Sequence, residues 1–181
     1  RTGLPTTLIR SYWELGDILH FDPDTARRNM ELGYYDTRRA MGYLRGCAYA
    51  VSTSAESCED AAAFAWKFQQ VQKAVREKYP VTLTADAALL LANMKDAQLA
   101  PLEAAAEDVG VDPTQFYTTE TLGKAFLEKC ENDRIESFAP LFEGSGRAAD
   151  AARAALLPNT FLQALVYRVL TGPVLPEVIE K

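Results

Sequence analysis

The sequence holds one histidine, His20, and three cysteines, Cys47, Cys58 and Cys130. That scarcity excludes most zinc sites, di-iron bundles built on two Glu-x-x-His motifs, and any Ser-His or Cys-His mechanism that does not run through His20. The cysteine count is odd and no Cys-x-x-Cys pair occurs, so neither a disulfide framework nor a thiolate cluster is indicated. The thiols read as small buried apolar groups, with a Cys47–Cys58 bridge as the alternative. The apolar run at residues 87–92, which no other exceeds, falls far short of the roughly 18 residues of a spanning helix, so no membrane span is predicted. A β-branched, strand-like cluster lies at 81–84, between Pro80 and an alanine-rich run. There is no GxGxxG, no P-loop, no GxSxG, no HExxH and no EF-hand loop. Neither a cofactor nor a metal is implied.

What is present argues for one folded helical domain. Of 181 residues, 48% are hydrophobic and 24% charged, which excludes disorder as a description of the whole chain. Nineteen Lys+Arg stand against 25 Asp+Glu, and a net charge of −6 argues against nucleic acid as a partner. Alanine, the best helix former, supplies 28 positions. The expectation is a soluble, acidic, all-α, bundle-like protein in a single domain, 1–181. Within it, 1–80 is a long-helix subregion with 11 basic and 10 acidic side chains. The remainder, 81–181, is a short-helix subregion with 8 and 15.

Periodicity places the elements. Leu8, Tyr12, Leu15 and Leu19 suggest a short helix over residues 7–20, after an extended N-terminal arm. Asp22-Pro23 is an N-cap followed by proline at the first helical position. From there Met30, Tyr34, Thr37, Met41, Leu44, Ala48 and Val51 repeat at 4, 3, 4, 3, 4, 3, predicting one helix over about 23–51 with a heptad-like seam. Gly33, Ala40 and Cys47, with Gly42 and Gly46, form rows of small residues where a second helix could approach closely. Ser57 with Asp60 resembles a capping box, and Ala61, Phe64, Phe68, Val71 and Val75 give a helix over 57–79. A short turn between two such helices predicts a long antiparallel hairpin. Further on, Thr84 caps a helix that Pro101 breaks or kinks. Gly110 then reads as a C′ residue, and Thr119 opens a helix through Leu122 and Phe126. Another helix ends by Gly144, an alanine-rich one stops at Pro158, and the last covers 160–170 before Gly172-Pro173. Residues 174–181 read as an extended tail.

Few side chains suggest chemistry. Arg38 and Arg45, seven apart on the predicted long helix, could hold a carboxylate or phosphate bidentately. The plainer alternative is a solvated face with local pairs such as Glu31–Arg28 and Asp24–Arg28. The acidic clusters at Glu103, Glu107 and Asp108, and at Glu128, Glu131 and Asp133, lack the loop spacing that wraps a cation. Both lie toward helix C-termini, where the macrodipole disfavours acids. His20 reads as a helix-end residue. Trp66 lies about 160° around its helix from Phe64 and Phe68 and suits an exposed anchor.

These features predict a non-catalytic accessory subunit or adaptor that binds larger protein partners. Its partner-binding residues would be Leu4 and Leu8 in one arm, Trp66, and Val174, Leu175, Val178 and Ile179 in the other. The chain begins at Arg1 rather than methionine, which reads as a trimmed product. The expected setting is peripheral to an organellar membrane complex, respiratory or photosynthetic, in mitochondrion or plastid, with secretion as the alternative. The rival function is a helical enzyme or binding protein for a small anion, using Arg38 and Arg45.

Overall fold

The computed structural model describes residues 3, 6–16, 22–79, 96–131 and 135–172. Among them lie seven helices and two strands of two residues each, so the all-α expectation is met.

Helix α1, Pro23–Ala40, begins as its sequence requires. The Asp22 carboxylate accepts the Thr25 N–H and the Thr25 hydroxyl, both at 2.8 Å, with Pro23 filling the first turn. It ends well short of the predicted Val51. Gly42 adopts φ +78°, its N–H donates to the Arg39 carbonyl, and the Tyr43 N–H donates to the Arg38 carbonyl. That is a Schellman closure, for which a left-handed glycine is the natural residue. Gly46, at φ +84°, turns the chain again. The 4,3 spacing runs on through Leu44, Ala48 and Val51, but those side chains lie in a loop and a strand, not on a helix. The predicted 23–51/57–79 hairpin is therefore corrected to a shorter α1, a glycine-punctuated loop, and a separate second helix.

Strand β1, Ala50–Val51, pairs in parallel with β2, Phe116–Tyr117, with Ala50 opposite Phe116 and Val51 opposite Tyr117. Two-residue strands carry no readable periodicity, and neither was foreseen. Helix α2, Ala55–Lys78, is capped by Ser54, whose hydroxyl accepts the Ser57 N–H. Ser57 is thus not the cap of a Ser57–Asp60 box. It is buried and bonded to Thr119, whose N–H donates to Ser57 Oγ at 3.0 Å and whose hydroxyl donates to the Ser57 carbonyl at 2.7 Å.

Helix α3 spans Ala100–Asp108, and Pro101 starts it rather than breaking it. Gly110 follows at φ +70° as the C′ residue. Next come α4, Thr119–Lys129, with a Thr118–Thr121 capping box, and the short α5, Ala139–Glu143, ending at Gly144. Helices α6, Ala148–Leu156, and α7, Pro158–Thr171, complete the described chain. The core lies where α7 packs on α2, α3 and α6, and α4 packs on α2 and α3. One apolar cluster links Phe64, Phe68, Leu102, Phe126, Phe161 and Leu165, drawing on both sequence subregions.

Residues 6–16 carry no helix, contrary to the helix expected over 7–20, of which residues 17–20 lie outside the described residues. The strand-like 81–84, the Thr84-capped start before Leu99, His20, Leu4, and the tail residues Val174, Leu175, Val178 and Ile179 also lie outside them. No disulfide is formed among the described residues, so the Cys47–Cys58 bridge is absent.

Candidate functional site

Two features stand apart from ordinary core packing, and they lie on opposite faces of the loop-and-helix unit at residues 22–51. The inner one is a buried carboxylate. Glu103 is wholly buried in α3, among Leu99 to Ala106, all likewise buried. Its Oε1 accepts the N–H groups of Cys47 at 2.9 Å, Ala48 at 3.1 Å and Tyr49 at 2.9 Å, and Oε2 also accepts that of Cys47. Successive N–H groups aimed at one oxygen form an anion nest, here filled from within the chain. Gly46 makes the approach possible, since a Cβ there would stand 2.6 Å from Glu103 Oε1 and 2.6 Å from the Tyr49 carbonyl oxygen. Burial pushes the Glu103 carboxyl up to about 7, against the pull of the N–H donors and of the Arg39 charge.

The arm closes over this clamp. Trp13 Nε1 donates to the Ala48 carbonyl at 2.7 Å, and its ring meets Tyr12 and Tyr49 edge-on. The Tyr12 hydroxyl donates to Glu107 at 2.7 Å, while burial raises the pKa values of Tyr12 and Tyr49 above the usual phenol range. Asp108 accepts from Asn159 and Gln163. Glu107 and Asp108 therefore have donors that offset an unfavourable place at a helix C-terminus. The sequence does carry a sign of the clamp: Glu103 is the single charge in the run from Leu99 to Ala106.

The outer feature is the far face of α1. Its inward face is polar. Arg28 donates to the Glu14 carbonyl, Asn29 to the Leu15 carbonyl, and Asp36 pairs with Arg39 at 2.5 Å. Leu32, buried, and Tyr35, half-buried and near Tyr117 and Asp112, are the large side chains with apolar bodies on that side. The seam residues Met30, Tyr34 and Met41 are 76%, 54% and 63% exposed, and Tyr43 beyond them is also exposed. The Arg38 guanidinium lies over the Tyr34 and Tyr43 rings and donates to the Tyr34 hydroxyl at 2.7 Å.

Arg38 and Arg45 have separate partners. Arg45 grips Asp96 through Nε at 2.8 Å and through a terminal nitrogen at 2.9 Å, and donates to Gln98 as well. The Arg28 pairs expected with Glu31 and Asp24 do not form, because Arg28 is turned to the arm. Trp66 is exposed on α2, and Leu8 is exposed in the arm. A shallow depression of about 330 Å³ runs beside Gln69, Gln72, Lys73, Arg76 and Glu77, all on α2. Among the described residues, no group of three or more His, Cys, Asp and Glu could hold a metal, and no helix is long and apolar enough to cross a membrane.

No family model, no curated protein and no solved structure matches this chain.

Proposed function

We propose that the chain is a non-catalytic helical subunit whose work is to bind other proteins. The observation that carries this reading is the apolar row on the outward face of α1, left exposed although the inward face already buries Leu32. A helix on a free-standing domain turns its apolar stripe to the core and its charges to water. Here Asp36 and Arg39 face inward while Met30, Tyr34 and Met41 face out. Left in water, these side chains forfeit roughly 1.5–3 kcal/mol of burial each. A partner that covers the face recovers that energy, with arginine and tyrosine, residues enriched at interfaces, beside it. Trp66 and Leu8 offer further exposed anchors for larger partners. A peripheral place on an organellar membrane assembly is the setting we infer, from an acidic helical chain without a catalytic motif.

Substituting Met30→Glu and Met41→Glu tests the reading, because both side chains are exposed and contribute little to the chain's own core. The expected outcome is an unchanged melting temperature with loss of the native assembly, measured by the mass of the complex isolated from its source. Assembly at wild-type levels by the folded variant would overturn it.

A further inference from the structure

We propose that the outward face of α1 pairs, antiparallel, with the same face of a second copy of this chain. The proposal rests on the reading that this face binds protein, and it names the partner.

The seam is palindromic. Met30, Tyr34, Thr37 and Met41 are spaced 4, 3, 4, so the row has the same spacing read from either end. Turned about a two-fold axis between residues 35 and 36, Met30 falls against Met41 of the second copy and Tyr34 against Thr37. Closed dimers are built on such self-complementary patches. One flank of the row carries Gly33 and Ala40, both exposed, and a Cβ at Gly33 would meet nothing within 4 Å. Small residues there let the two backbones approach.

Charge selects the orientation. The other flank carries Glu31 and Arg38, seven residues apart, and flanking charges set partner choice and direction in paired helices. In the antiparallel arrangement like flanks meet, so Glu31 lies opposite Arg38 of the second copy, and symmetry repeats the pair. A parallel arrangement would instead set Glu31 against Ala26 and Arg38 against Gly33, with no ion pair gained. Neither Glu31 nor Arg38 has an opposite charge within 4.0 Å among the described residues. Arg38 Nε is buried and finds no hydrogen-bond partner among them. The buried residues of α1, Leu32 and Asp36, lie on the opposite side, which leaves Met30, Tyr34 and Met41 exposed among the described residues.

The full chain should sediment as a reversible dimer over roughly 1 to 500 µM, a range that spans weak, transient interfaces. Glu31→Arg should weaken the dimer by about tenfold or more, since like charges then face each other twice. Arg38→Glu should do the same, and the double exchange should restore affinity to within about threefold of wild type. Circular dichroism melts of each variant separate these effects from misfolding. Mixed Met30→Cys and Met41→Cys chains should crosslink 30 to 41, as peptide mapping reads. A monomer throughout the range, no rescue by the double exchange between folded variants, or dominant 30–30 and 41–41 crosslinks would each overturn the inference. If the chain is monomeric while the Met30→Glu/Met41→Glu variant still loses its native assembly, pairing fails and the protein-binding reading stands. If it dimerises and that variant nevertheless assembles, the reverse holds.

Discussion

The Glu103 carboxyl has an ordinary value of 4.5 and stands at about 7 in the folded chain. For an acid raised in this way, the neutral form is the one folding favours. Its contribution to stability is whole below about pH 4.5 and drains as pH rises through the folded value, a loss on the order of 3 kcal/mol. The urea midpoint of the wild type should fall between pH 5 and pH 8. Glu103→Gln keeps an oxygen for the three N–H donors but cannot ionise, so its midpoint should change much less over that window. Equal slopes in the two proteins would refute the assignment. Gly46 and Gly33 make a second residue-scale contrast. Alanine at 46 meets a left-handed φ and two oxygens at 2.6 Å, and should cost about 2 kcal/mol or more by chemical denaturation. Alanine at Gly33, helical and unobstructed, should gain about 0.5–1 kcal/mol.

At the scale of elements, the same two physical rules explain what the sequence revealed and what it concealed. Apolar spacing at 3 and 4 located α2, α4 and α7 because each buries the stripe it advertises: Ala61, Phe64, Phe68 and Val75 on α2 are all buried. It overran α1 because Leu44, Ala48 and Val51 are apolar for another core, and only backbone chemistry marks the true end. Gly42 and Gly46, following Arg38 and Arg39, were that mark, a left-handed closure after a basic last turn. The Glu103 clamp was still less legible. It joins residues more than 50 positions apart through backbone N–H groups, which any sequence possesses. The Ser57–Thr119 contact is of the same kind, a long-range hydroxyl staple between the N-terminal turns of α2 and α4. Replacing Thr119 with valine keeps its shape but removes the donor to the buried Ser57 carbonyl. A loss of about 1–3 kcal/mol is expected from denaturant unfolding, with α2 and α4 still helical. A change under about 0.5 kcal/mol would show the staple to be idle.

The whole molecule is built in two tiers. The main apolar cluster joins α2, α3, α4 and α7, and no residue of α1 belongs to it. Helix α1 is held by the buried Leu32 and by polar contacts: Arg28 and Asn29 on the arm, Trp13 on the Ala48 carbonyl, and Glu103 on the loop that follows. One buried side chain and a few polar contacts open more easily than an interlocked core, so the two tiers should open with different free energies. Amides of α1 are expected to exchange with solvent well before those of α2 and α7. Trp13→Ala removes both an indole donor and its edge-on contacts with Tyr12 and Tyr49. It should speed α1 exchange by about tenfold or more, equivalent to about 1.4 kcal/mol of local stability, while the slowest core amides keep their rates. Uniform acceleration of α1 and core alike would mean a single cooperative unit instead. The pairing inferred for α1 adds a concentration dependence to the same measurement. Covering Met30, Tyr34 and Met41 with a second copy stabilises the closed form of α1 by mass action, so its protection should rise as the protein is concentrated, with the core already at its limit. Charge reversal at Glu31 should abolish that rise without altering α1 exchange in dilute solution.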